Sequence, residues 1–149
     1  AVDVAHNAMP GLRIPYVRFD GRRLPFPDRA FDCALFCNSL HHVSPGAQEP
    51  LLREALRVTG GGPLVIKDHV AASTLDGMRL WLLDVMGNLP RGFMVHAHYL
   101  GPSQWDDLLR RLQCAGEALP VSAYRTGWWD RIFPSRLEAC FRICRAESL

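Results

Sequence analysis

Hydrophobic residues run almost unbroken from Phe31 to Cys37, interrupted by Asp32, and a second apolar run spans Leu64 to Lys67. Continuous runs of this length predict strands buried on both faces, as in the centre of a parallel sheet. Between them the pattern changes to helical spacing. Leu51, Leu52, Ala55, Leu56 and Thr59 fall on one face, and Arg53, Glu54 and Arg57 on the water-facing one, after a Ser44-Pro45 start. Strand, helix and strand form a βαβ unit, whose parallel strands carry ligands beyond their carboxyl ends. Those ends hold Asn38, His41 and His42 on one strand, and Asp68 and His69 on the next.

Shorter signals flank this unit. Ala1–Val4 and Tyr16–Phe19 read as short strands, the second ending at Asp20-Gly21. Pro25 and Pro27 keep the following loop extended. Ser73 and Asp76 form a capping pair for a helix bearing Leu75, Met78, Leu80, Trp81, Leu82, Leu83, Val85 and Met86. That helix is apolar nearly all round, so it should be covered on both sides or line an apolar pocket, and it should end at Gly87 or Asn88. Ser103 caps another helix with Trp105, Leu108, Leu109 and Leu112 inward, stopped by Gly116. Leu119–Tyr124 is a strand candidate. Arg136–Arg145 alternates strictly, as an antiparallel strand with unlike surroundings on its faces does.

At 149 residues the chain suffices for one α/β domain with its own core. A net charge of +2, with scattered arginines, gives no reason to expect nucleic acid. No stretch approaches the roughly 20 apolar residues of a membrane span and no signal peptide opens the chain, so the cytoplasm is the expected compartment. The cysteines number five, so they cannot all pair within one chain. Cys33 and Cys37 share one face of a strand, and at about 3.3 Å per residue they lie roughly 13 Å apart, too far for a disulfide. The same spacing separates Cys140 from Cys144, and all are expected as small buried apolar side chains.

In order, Asp20-Gly21, Leu24-Pro25-Phe26, Asp28, Phe31-Asp32, Leu40-His41-His42, Leu51-Leu52-Arg53-Glu54-Ala55 and Arg57-Val58 resemble the class I methyltransferases that use S-adenosylmethionine, closest to the small-molecule, type 11-like branch. The resemblance implies a Rossmann-like, doubly wound, mostly parallel sheet closed by an antiparallel C-terminal hairpin. It implies S-adenosylmethionine as cofactor, with Asp3 on the ribose hydroxyls and Asp20 on the adenine amine. Gly21, Leu24 and Asn38 complete that set, with Phe26 as a further wall. The family's first strand and glycine loop, expected before Ala1, are not found. Gly60-Gly61-Gly62 follows a helix and precedes a strand, which is a helix stop rather than a cofactor loop. The chain therefore looks like a methyltransferase domain lacking its N-terminal part.

Methyl transfer needs an aligned acceptor and, where the acceptor carries a proton, a base. His42 and His69 are the candidate bases, with Asp68 beside them and His41, His96 and His98 within reach of the same crevice. No metal is expected, because His41 and His42 would point apart on an extended chain and no ligand spacing is convincing. There is no G-x-S-x-G elbow, and a nicotinamide enzyme would need the same missing glycine loop. The expected partner is a small-molecule acceptor, with neither nucleic acid nor membrane. The alternative is a non-catalytic methyltransferase remnant or fragment that self-associates through an exposed sheet edge as a binding or assembly module.

Overall fold

The computed structural model describes residues 15–92, 96–121 and 126–145. Asp3 and the strand expected at Ala1–Val4 lie outside them. Four strands, β1 (Ala34–Cys37), β2 (Leu64–His69), β3 (Cys114–Leu119) and β4 (Glu138–Arg145), form one sheet in the order β1-β2-β4-β3. β1 runs parallel to β2, with Ala34 opposite Leu64, while β4 is antiparallel to both β2 and β3. Helix α1 (Pro45–Val58) joins β1 to β2, α2 (Thr74–Asn88) follows β2, and α3 (Pro102–Leu112) leads into β3. A short α4 (Trp128–Ile132) lies between β3 and β4. This is the mixed α/β architecture the sequence implies, with its βαβ unit and its antiparallel closing strands. No helix among the described residues is long and apolar enough to cross a membrane.

The core lies on the sheet face covered by α1 and α3. Leu52, Leu56, Leu64, Ile66, Trp105, Leu108 and Ile143 are all buried there. α1 begins at Pro45 behind Ser44, as expected, and closes where Gly60 takes φ +64° and the Gly61 amide reaches back 2.8 Å to the Leu56 carbonyl. The glycine run is thus a helix stop. Gln113, at φ +56°, ends α3, whereas Gly116 lies inside β3. A Cβ on Gly116 would meet Leu109 Cδ1 at 2.8 Å, a contact a shift of that side chain can relieve, so Gly116 is a strand residue packed under α3 and not the helix stop.

Several expectations are corrected. Tyr16–Phe19 is irregular, and Phe31 to Cys33 is not strand, because the Arg29 and Phe31 amides bond the Arg57 and Val58 carbonyls at the end of α1 instead of a neighbouring strand. β1 is not buried on both faces. It pairs only with β2 among the described residues, Leu35 is 67% exposed, and the Cys33 and Cys37 thiols are exposed rather than packed. The strand expected at Leu119–Tyr124 lies earlier, at Cys114–Leu119, and residues 122–125 are outside the described set.

α2 departs furthest. It continues through Asn88 into a 3₁₀ turn, Leu89–Arg91, that closes at Gly92. Its buried stripe is Asp76, Leu80 and Asp84, while Leu75, Met78, Trp81, Leu82 and Met86 are exposed. Stability here comes from satisfied carboxylates rather than from apolar covering. Asp76 accepts two 2.9 Å bonds from the Arg136 guanidinium and packs its helix start against the approach to β4. That guanidinium holds the Asp76 carboxyl below its usual range against the opposing effect of burial.

Candidate functional site

The carboxyl ends of β1 and β2 lie side by side, and the chain leaves β1 through Asn38 in a left-handed conformation at φ +46°. The Asn38 amide bonds the Lys67 carbonyl at 2.8 Å, and its Oδ1 accepts from Lys67 Nζ at 3.3 Å. Leu40–His42 then forms a 3₁₀ turn. The turn overturns the idea that adjacent histidines point apart: the two rings stand 4.1 Å apart between centroids, because the backbone curls instead of extending.

Asp68, at the end of β2, organises this turn. Its Oδ2 accepts from the amides of Leu40 (2.8 Å) and His41 (3.2 Å), and its Oδ1 from the His69 amide (2.7 Å) and from His41 Nδ1. Burial pushes the Asp68 carboxyl up, but the hydrogen bond and charge of His41, with the His69 amide, outweigh it and hold it below its ordinary value. Every lone pair it has for in-plane bonding is used. Gln48, buried on α1, fastens the turn from the other side by donating to the Leu40, Val43 and His98 carbonyls at 3.3, 3.2 and 3.5 Å. The sequence reading passed over Gln48; a glutamine on the buried face of an amphipathic helix was its only signal.

Asp84 of α2 approaches the same cluster. Its Oδ2 accepts from the Tyr99 hydroxyl and lies 3.5 Å from His41 Nε2; its Oδ1 lies 3.9 Å from His69 Nε2. Burial and that carboxylate push the Tyr99 phenol well up, so it stays protonated as the donor. His69 is 4% exposed, and burial, aided by His41, pushes its imidazole down, favouring the neutral form at neutral pH. His42 differs in being exposed. Its Nδ1 faces the His96 carbonyl at 2.9 Å, which can only accept, so Nδ1 carries the proton and Nε2 a free lone pair. His98 contributes its backbone, its amide bonding the His41 carbonyl at 2.6 Å.

Ser39 and Val43, on either side of this turn, also line an apolar cavity of about 510 Å³ walled by Phe19, Leu24, Phe26, Leu35, Leu51 and Val58. Asp20 lies just before the loop that forms part of its wall. Its Oδ1 accepts from the Arg22 and Arg23 amides at 2.8 and 3.1 Å, around Gly21 at φ +81°, and these bonds lower its carboxyl below the usual range. No other residue among those described bonds its Oδ2. The apolar lining, which includes Leu24 and Phe26, has the character that a flat ring such as adenine would need, and Asp20 adjoins it in sequence through Phe19. The wall is held by a clamp the sequence reading had assigned to solvent. Arg57 bonds Glu54, Asp28 Oδ1 (2.7 Å), the Phe26 carbonyl (2.9 Å) and the Leu24 carbonyl (3.1 Å), while Glu54 also accepts the Leu24 amide at 3.1 Å.

Comparison with known proteins finds likenesses in sequence and in fold. Residues 1–66 match the family model described as a methyltransferase domain. The ubiquinone/menaquinone biosynthesis C-methyltransferase of Pseudomonas paraeruginosa is 32% identical over 97 residues; the match takes in 60% of this chain but 37% of that protein. In fold the chain is similar to the YcgJ protein of Bacillus subtilis, with TM-score 0.56 at 20% identity, covering 96% of this chain and 75% of that one. It is likewise similar to an S-adenosylmethionine-dependent methyltransferase of Thermotoga maritima described as a possible histamine N-methyltransferase. There the TM-score is 0.56 at 20% identity, covering 87% of this chain and 63% of that one. Sequence and fold thus both carry the likeness to S-adenosylmethionine-dependent methyltransferases.

Proposed function

We propose that this chain is part of an S-adenosylmethionine-dependent methyltransferase and serves methyl transfer to a small-molecule acceptor. The observation that carries the reading is the adjacency of two features across the Leu40–His42 turn: the apolar cavity, lined by Phe19 next to Asp20, and the exposed His42 held by its Nδ1 against the His96 carbonyl. Asp20, Leu24 and Phe26 would hold the adenine end of the cofactor, with Gly21 and Asn38 shaping the backbone around it. The cofactor, when bound, supplies an electrophilic methyl group. His42 Nε2 is the proton acceptor that an incoming hydroxyl or amine meets first. His69, buried and neutral, lines the crevice behind it and is the second candidate. Asp68 acts through His41 and the turn, as a positioning residue. The acceptor is expected to be small and partly apolar.

The test is calorimetric titration of the folded chain with S-adenosylmethionine and its demethylated product. Asp20→Asn keeps Oδ1 for the turn and replaces Oδ2 by an amine donor, so it removes the adenine contact without opening the loop. Saturable binding that weakens tenfold or more in this variant, and is unchanged in His42→Ala, supports the reading; tenfold corresponds to about 1.4 kcal/mol. Binding that Asp20→Asn leaves intact would sink this cofactor assignment. No binding by a folded sample favours the second reading, an assembly module, for which the specific observation is β1 itself. It has no partner on its outer edge among the described residues and exposes Leu35. A solution mass well above 16.7 kDa would then be expected.

A further inference from the structure

We infer that His41, His42 and Asp84 form a binding site for a divalent zinc ion. One ligand atom from each lies within 4.8 Å of the others. Both imidazoles have their Nδ1 engaged outside the cluster, His41 with the Asp68 carboxylate and His42 with the His96 carbonyl. Metal-binding histidines are oriented in this way, with the second ring nitrogen given to a carboxylate or a backbone carbonyl. In the neutral form of each ring, a proton on Nδ1 leaves Nε2 as the lone pair a metal would take.

For His41 that lone pair has an uneasy position. Its Nε2 is buried, makes no hydrogen bond among the described residues, and lies 3.5 Å from Asp84 Oδ2. Two such atoms can face one another in a buried place only with a proton or a metal cation between them, and a cation that binds there takes the place of the proton. A zinc ion at about 2.0–2.2 Å from imidazole nitrogen and carboxylate oxygen meets that requirement. Two imidazoles and a carboxylate are a donor set suited to zinc, and the exposure of His42 leaves a coordination position open to solvent or ligand. His69 Nε2, 3.9 Å from Asp84 Oδ1, borders the site as a further nitrogen, and Tyr99 steadies Asp84 through its hydroxyl.

This inference stands apart from methyl transfer, since its test is metal binding alone. An ion held there takes the His42 lone pair, so in the metal-loaded chain proton removal would fall to His69, the second candidate. The experiment is titration of tag-free, metal-stripped chain with zinc, followed by calorimetry, and with cobalt(II), followed by visible absorption. Because Cys33 and Cys37 are exposed, both are first replaced by serine. One zinc per chain is expected, with cobalt bands lacking thiolate charge transfer. His42→Ala, at an exposed position that leaves the core untouched, should weaken binding at least tenfold, and Asp84→Asn should do the same. His98→Ala should leave it unchanged. Failure of the folded chain to bind, or binding that His42→Ala does not weaken, overturns the site.

Discussion

Removing the Asp68 carboxylate should be among the most damaging single changes in the chain. Asp68→Ala takes the acceptor from four donors at once: the Leu40, His41 and His69 amides and His41 Nδ1. Each buried donor left unsatisfied costs about 1–3 kcal/mol. The costs do not add, because His41 can move its proton to Nε2, and a cavity of this size can admit water. Breaking one side of a buried ionic contact costs about 3–5 kcal/mol, and that is the expected range here. Against a typical total of about 5–15 kcal/mol, this is a large share.

Asp68→Asn separates the charge from the shape. One amide oxygen can still serve two of the donors, and the new NH₂ can donate to His41 Nδ1 once that nitrogen's proton has moved to Nε2. It should therefore cost about 1.5–3 kcal/mol, the worth of a charge-assisted bond. Urea unfolding distinguishes the two. With an m-value of about 2 kcal/mol/M, a loss of 4 kcal/mol moves the midpoint by about 2 M. If Asp68→Ala shifted the midpoint by less than Asp68→Asn, or by less than about 0.5 M, the turn would not depend on this carboxylate and the reasoning would be refuted.

Two other outcomes follow from the same network. His69 has its folded pKa lowered, first by burial and then by His41, so between that value and the unfolded value of about 6.5 the unfolded chain binds the extra proton. Its contribution is therefore complete above about pH 6.5 and is lost as pH falls through the folded pKa, at no more than about 1.4 kcal/mol per pH unit. His69→Gln should flatten the fall in urea midpoint between neutral and mildly acidic buffer; an unchanged slope would show that another group carries it. Arg57→Ala removes the clamp on the Leu24–Asp28 loop, and should speed tryptic cleavage after Arg22 and Arg23. Equal cleavage rates in parent and variant would mean that the loop is held elsewhere.

Most of what was legible in the sequence was periodic. The α1 stripe, the capped start of α2, the amphipathic α3 and the alternation in β4 follow from local rules, and the structure places them within a few residues. What failed to show was anything that depends on a neighbour. A run such as Phe31–Cys37 has the composition of a doubly buried strand, yet its exposure depends on which strands flank it, and here only β2 does among the described residues. The candidate site was half legible for the same reason. Strand ends announced Asn38, His41, His42, Asp68 and His69. Asp84, Tyr99 and Gln48 did not show, because long-range contacts bring them to the turn.

The buried face of α2 links these observations. A helix with so many apolar residues would, by composition alone, turn them inward. Instead it buries Asp76 and Asp84 and leaves Met78 and Trp81 to the surface. Each carboxylate meets a specific partner, Arg136 for one and the Tyr99–His41 group for the other, in contacts that fix the helix in rotation as well as in position. Sliding α2 by one residue rotates it by about 100°, which would remove both carboxylates from their partners together. Apolar packing tolerates small adjustments; paired buried carboxylates do not, since either one left alone is costly. The placement of Asp84 against the His41–His42 turn is thus set by two anchors two turns apart, and a side chain so fixed is suited to hold an ion or orient a base.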